Sequence, residues 1–464
     1  MATLAASMVA ASSAMLSEPA SRSWWLAQLP SSVLPPITAT PPATADVVII
    51  GAGLTGCATA YWLQKLFGRS SVVLDARGVA GGATGRNGGH LWPNPTSAFE
   101  QENVAELVAF LEEEGVECDM TQHGAVALDR QTPEEDVEYH DCDSGDPEVS
   151  AEDGEDWGEV RHWDGETCAT QLQTDAFSSG AHYPEARQLY PAKVACSLLR
   201  ASGATLCAPV RVLEVEAAGS GAGGSGAGGS ASGSASGGAD GGSGGGAGVD
   251  VGSAAGGAPG ETSPRGQIVT TDRGVVRAGK VVVCTNGWAG ALLPELKAHL
   301  YPVRNQVLMS APTAASAAWG VGALSVDSEI GARELYMIRR PDGRLCLGGA
   351  RALEPGAAVG STDDGSLSEP VGRYLRRFLR EHFPRLGPIE VEAEWTGILG
   401  FTADQRPLIG QVRPEVYAGV GFCGQGMPQC TGAGKALAAM VAGHDERVHP
   451  FVRGAANVAR VLDK

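Results

Sequence analysis

The sequence predicts an α/β protein: a parallel, dinucleotide-binding sheet domain joined to a discontinuous, antiparallel-sheet α+β domain. Three observations point there. A β-branched run at 45–50 meets closely spaced glycines and then helical spacing. A second short apolar run follows and ends in an acid, Asp75. Residues 301–350 then read as strands joined by a tight turn, not as further βα repeats.

Length and charge bound the possibilities. At 464 residues the chain can bury cores for two domains. A formal charge of −19 argues against nucleic acid or an anionic membrane as partner, since both select clustered Lys and Arg. No run of about 18 apolar residues offers a spanning helix. The 10 cysteines include no CxxC pair, which argues against a zinc ribbon and suits a reducing compartment. A cytoplasmic location is expected and secretion is not. The Ala- and Ser-rich residues 1–22, weakly like a transit peptide, leave a chloroplast or mitochondrion as the alternative.

The elements follow in order. Residues 23–44, rich in Trp and Pro, read as an irregular arm on the domain surface. Ala45–Ile50 has no amphipathic alternation, as a strand buried on both faces would. Thr55–Leu66 reads as a helix and Ser70–Leu74 as the second strand. The acidic run 134–159 has no Lys or Arg and no calcium-loop spacing, so it reads as a solvated insert and no metal site is expected. Strands 209–216 and 266–271 flank a Gly/Ala/Ser tract at 217–262, too poor in apolar surface to order itself. Val275–Cys284 is a further strand region, ending at Thr285-Asn286-Gly287-Trp288. Strands at 301–310, 334–339 and 345–350 surround a turn at Pro341-Asp342-Gly343. A helix is expected over 371–383, a strand over 416–421 and a last helix from about Ala433 to Val441.

Gly51-Ala52-Gly53-Leu54-Thr55-Gly56 carries the chemistry. The spacing is weak evidence alone, but here a buried strand precedes it and a helix follows. Gly51 allows the tight turn, Gly53 lets the backbone approach a pyrophosphate, and Gly56 lets helix and strand pack. The helix N-terminus offers N–H groups to the phosphates, and Asp75 is placed for ribose hydroxyls. This unit does not separate NAD from FAD. Gly81-Gly82-Ala83-Thr84-Gly85-Arg86-Asn87-Gly88-Gly89-His90 favours the longer cofactor: its glycines admit a bulky ring and Arg86 could neutralise a phosphate.

With DVVIIGAGLTG, GATGRNGGH, VVVCTNGW, WTGILGFTADQRPLIG and GFCGQGM, the chain resembles the D-amino-acid oxidase, sarcosine oxidase and glycine oxidase superfamily of flavoproteins. It is most similar to the GATGRNGGH branch that includes gamma-glutamylputrescine oxidase. The resemblance runs from about Ala45 to about Ala442, interrupted by the two inserts. It implies an FAD-binding Rossmann-like domain of the glutathione reductase type over 45–110, 185–300 and 395–445, and a substrate domain over 111–184 and 301–394, after an arm at 1–44. It also implies site residues. Gly51, Gly53, Leu54, Thr55 and Gly56 would hold the pyrophosphate and Asp75 the ribose. Ala76, Arg77, Arg86, Asn87, Gly88 and Gly89 would line the path to the flavin. Val210 would meet the adenine by its backbone. Thr285, Asn286 and Gly287 would close the cleft. Asp404 and Gly424-Gln425-Gly426-Met427 would lie along the ribityl chain and flavin.

Two departures matter. Gly397 stands where some relatives carry a flavin-bonding Cys, so non-covalent FAD is expected, with Cys423 and Cys430 as fallback candidates. Pro428 stands where relatives use a Lys for a substrate carboxylate, so a polyamine-like amine is as open as an amino acid. The implied reaction is hydride transfer from an amine C–H bond to flavin, with dioxygen as acceptor. Arg304, Gln306, Tyr336 and Arg351 are the candidates for substrate contact, each with an ion-paired or solvated role equally open. His90 reads as structural or as a neighbour of the ring, and Trp395 as core or packed beside the cofactor. A flavin-binding protein with little turnover and a 2-hydroxy-acid oxidase remain alternatives.

Overall fold

A computed structural model describes residues 19–130, 160–218, 266–327 and 333–462. The acidic run 134–159, nearly all of the Gly/Ala/Ser tract and residues 1–18 lie outside the described residues.

The fold has two large sheets. The first has nine strands. At its centre Thr44–Ile50 pairs in parallel with Val72–Leu74 on one side and Gly274–Val283 on the other. Val416–Val420 adds in parallel to Gly274–Val283, and the hairpin partners Gln267–Thr271 and Val212–Ala217 continue the sheet antiparallel. The central strand is buried from Val47 to Ile50, as its unbroken apolar run requires. Helix Leu54–Phe67 packs over it, between Pro191–Ser202 and Gly426–Ala442.

The second sheet has eight strands, among them Tyr301–Ser310, Arg333–Arg339, Leu345–Gly349 and Val391–Phe401. It is antiparallel except where Ala323–Asp327 runs parallel to Ala125–Arg130. Helix Glu369–His382 covers one face, burying Val371, Leu375, Phe378 and Leu379 and leaving its arginines to solvent. Among the described residues no helix is long and apolar enough to cross a membrane.

Two expectations are corrected. The arm is not a surface feature: Trp24 and Trp25 form a short helix at 6% and 0% exposure, and Arg340 lies over both rings at 4.7 and 4.9 Å. Its Ile37–Thr38 then joins the first sheet in parallel with Thr205–Cys207. The last helix starts at Gly426, well before Ala433. Pro428 is tolerated in a first turn. Gly434 is required in the helix body, since a Cβ there would lie 2.7 Å from the Ala58 Cβ of the neighbouring helix.

Candidate cofactor and active site

Because the central strands are parallel, their C-terminal ends meet at one edge. They deliver Gly51, Asp75, Cys284-Thr285 and Gly421 side by side, the place where open α/β sheets hold ligands. Gly51 turns at φ +106°, and a Cβ there would sit 2.8 Å from the Cys284 carbonyl oxygen. A Cβ on Gly56 would lie 1.9 Å from the Gly51 carbonyl oxygen. Gly53 has an open side: its Cβ would meet only Thr84 Oγ1, at 3.3 Å. That hydroxyl accepts from the Leu54 amide at 2.9 Å and closes the start of the helix, where Thr55 is buried.

Asp75 faces this turn. Its carboxylate accepts from the amides of Ala52, Arg77 and Gly78, each at 2.8 Å. Burial pushes its pKa up, against the pull of those three donors. The Val210 amide donates to the Asp75 carbonyl at 2.8 Å, which brings its strand end beside Asp75 and Ala76 but leaves only its carbonyl for a ligand. On the other flank, Asn286 at φ +46° accepts from the Gly421 amide at 2.9 Å, while the neighbouring Thr285 hydroxyl is buried without a partner. Gly287 packs so closely that a Cβ would lie 2.6 Å from the Leu399 carbonyl oxygen. Gly424 and Gln425 are exposed where the last helix begins, with Gly426 and Met427 in its first turn.

The 81–90 loop departs from expectation at Arg86. Its guanidinium reaches no open face. Nε donates to the Gly81 carbonyl at 3.0 Å, and Nη1 donates to the Ser21 and Thr396 carbonyls at 3.0 and 2.8 Å. Arg86 therefore braces the loop from behind, and a phosphate contact is not available to it without breaking these bonds. Arg77 likewise makes a two-bond pair with Asp364 and lies 5.5 Å over the Trp288 ring. The main-chain carbonyls of Arg86 and Asn87 accept from two indoles, Trp395 Nε1 at 2.9 Å and Trp25 Nε1 at 2.7 Å. Trp395 is thus core and loop support together. Asn87 accepts from the Gly89 amide and donates to the Thr84 carbonyl and to Met427 Sδ, tying the loop to the last helix.

Asp404 follows strand Val391–Phe401. It is exposed and paired with Arg460 at 2.8 and 3.1 Å. Burial alone would raise its pKa, but Arg460 wins and holds it at about 2.

The substrate-contact candidates separate by strand face. Arg304 and Gln306 share one face, turned from the loop. Arg304 bonds Glu354 at 2.6 Å and Asp363 at 3.2 Å. Gln306 is 2% exposed, and its amide is committed to Ser368 and Glu394. Gln306 thus braces the start of helix Glu369–His382, and Arg304 is tied to the 354–366 segment before it; these bonds commit both side chains. Asn305, between them, lies on the opposite face; the strand period of two is the signal that could have found it. Its Nδ2 donates to the Tyr336 hydroxyl at 2.9 Å. The Tyr336 ring fills a slot between glycines, where a Cβ on Gly88 or Gly348 would lie 2.5 or 2.4 Å away. His90 meets it edge-on at 5.3 Å, with Nε2 buried and unpartnered. Burial lowers the His90 pKa to about 4 and raises that of Tyr336, so both are neutral near pH 7. Arg351 lies 4.7 Å over the Phe401 ring, and burial lowers its pKa only to about 10, so it stays cationic.

An open glycine turn, a carboxylate beside it, a second helix N-terminus across the edge and a half-buried His–Tyr–Asn group fit FAD. The comparisons agree. The model of a family described as FAD dependent oxidoreductase (DAO) matches residues 46–243 and 246–440. A Rhizobium meliloti (strain 1021) protein described as "Probable oxidoreductase OrdL" is 23% identical over 446 residues, 91% of this chain and 88% of that one. The gamma-glutamylputrescine oxidoreductase of Escherichia coli (strain K12) is 22% identical over 433 residues, 88% of this chain and 86% of that one. In fold the chain is similar to glycine oxidase from Geobacillus kaustophilus: TM-score 0.63, 16% identity, 90% of this chain and 99% of that one.

Proposed function

The chain belongs to the family of FAD dependent oxidoreductases, and from that premise we propose that it oxidises an amine, free or within an amino acid, by hydride transfer to FAD with dioxygen as final acceptor. The observation that carries this reading is the neutral, half-buried group of His90, Tyr336 and Asn305, with no carboxylate bonded within it. An ammonium ion loses hydration there without gaining a carboxylate, so the site favours the uncharged amine, the form able to release hydride.

When bound, FAD supplies the hydride acceptor and hands the electrons on. The protein positions and excludes water. Asn305 fixes the Tyr336 hydroxyl, whose own proton is left to donate to a substrate heteroatom. Arg351 is the cation for an acidic substituent, if the substrate carries one. A helix start at Gly426 offers N–H groups to developing negative charge. The retention of FAD is non-covalent. A Cβ at Gly397 would lie 2.8 Å from the Arg86 Cβ, leaving no room for a thiol. Burial raises the Cys423 thiol and pushes Cys430 to about 12, away from the thiolate. The nine described cysteines are free.

The test is anaerobic mixing of the purified yellow protein with panels of amines, amino acids and 2-hydroxy acids. An amine that bleaches the flavin band, with peroxide formed on admitting air, is the expected result. Bleaching by hydroxy acids alone would overturn the amine reading, and bleaching by none would favour a binding role.

A further inference from the structure

Asp364 lies between strand Leu345–Gly349 and helix Glu369–His382, yet its carboxylate is fully buried against the loop that follows the glycine turn. Arg77 grips it with Nη1 on Oδ2 at 2.7 Å and Nη2 on Oδ1 at 2.9 Å. Arg86 Nε lies 3.8 Å from Oδ2. The Asp364 carbonyl accepts from both the amide and the hydroxyl of Ser21, each at 2.7 Å. The Ser21 hydroxyl in turn accepts from Arg86 Nη1 at 3.2 Å and from the Thr396 amide at 2.9 Å. The arm, the 364 segment and strand Val391–Phe401 therefore meet at one buried carboxylate. Two guanidiniums face this carboxylate, and Arg77 also feels the buried Asp75 carboxylate beside it.

We propose that Asp364 is a positioning residue for the flavin: it holds Arg77 and Arg86 behind the 81–90 loop and sets the charge that the flavin end of FAD experiences. The proposal rests on the reading that FAD runs from the glycine turn along this loop. A buried two-bond pair is geometrically rigid. Removing its anion leaves cations whose field is weakly screened at this depth. An added positive charge beside the flavin favours its electron-rich reduced form, so the potential rises.

The experiment compares reduction potential and FAD affinity in Asp364→Asn, Asp364→Glu and the double variant Arg77→Met/Asp364→Asn, which restores the net charge of the cluster. Asp364→Asn is expected to raise the potential and weaken FAD binding by about tenfold or more. Asp364→Glu should recover part of the affinity, and the double variant should bring the potential back towards the parent value. If Asp364→Asn does not fold, Arg77→Met alone, which removes one positive charge, must lower the potential. An unmoved potential in flavin-loaded Asp364→Asn, or a double variant that keeps the raised potential, overturns the proposal. Gly53→Asp separates the two failures: flavin retained there defeats the placement of FAD, whatever Asp364 does.

Discussion

At the level of single residues, the glycine turn makes two different demands. Gly56 is needed for packing, because its substituent would overlap the Gly51 carbonyl at 1.9 Å. Gly53 is needed for a ligand, because its substituent would meet only the Thr84 hydroxyl, at 3.3 Å, and no backbone. Gly56→Ala should therefore lose both flavin and soluble fold. Gly53→Asp should lose flavin, by repulsion of the pyrophosphate, while its apoprotein melts near the parent temperature. Absorbance after desalting and a thermal melt distinguish them. The titrating groups make a second prediction. His90 is depressed to about 4 and Tyr336 is raised, so neither changes charge across neutral pH. The rise of kcat/KM with pH should follow the amine pKa of each substrate and move when the amine is changed. Above about 10, loss of the Arg351 charge should slow only substrates bearing an anion. The same depressed His90 makes the unfolded chain bind more protons than the folded one between about 6.5 and 4. Apoprotein stability should therefore fall as pH drops through that window.

Among the elements, the short helix Trp24–Ala27 has an effect out of proportion to its size. Trp25 is fully buried, bonds the Asn87 carbonyl, and accepts from the Tyr190 hydroxyl with its own carbonyl. Trp25→Ala should cost about 3–5 kcal/mol by loss of packing. Trp25→Phe should cost less yet still weaken FAD retention, because only the indole donor is lost; urea melts and flavin titrations read the two effects. The arm also marks the limit of what sequence reveals. Gly51–Gly56 and Asp75 were legible because strand, turn, helix and acid are neighbours in the chain. Ser21, Asp364 and Thr396 were not, since their meeting joins residues 343 and 375 positions apart. Pairings at that distance leave no local pattern. The start of the last helix was misread for a related reason: Gly432 and Gly434 look like breaks until the tight packing of that helix against its neighbours is known.

For the molecule as a whole, the Gly/Ala/Ser insert attaches where it disturbs least. Ala217 pairs with Gln267, and the Ala218 amide donates to the Gly266 carbonyl, so the Gly/Ala/Ser tract leaves from a hairpin already closed at its root. Replacing residues 219–265 by a short turn should leave flavin content and turnover unchanged and raise stability slightly, since loop-closure entropy grows slowly with length. A tenfold loss of turnover would show that the tract takes part in function. The two-sheet architecture was foreseeable from strand spacing and βαβ order. The role of the second sheet in bracing the loop through Trp395 and Asp364 was not, because it depends on how the sheets abut.

The two indoles that grip successive loop carbonyls come from positions 25 and 395. During synthesis on the ribosome the first emerges long before the second, and the helix Gly426–Ala442 that flanks the glycine turn emerges later still. The nascent chain thus carries an unfinished socket until that helix has been made, and vitamin-derived ligand is captured only after it.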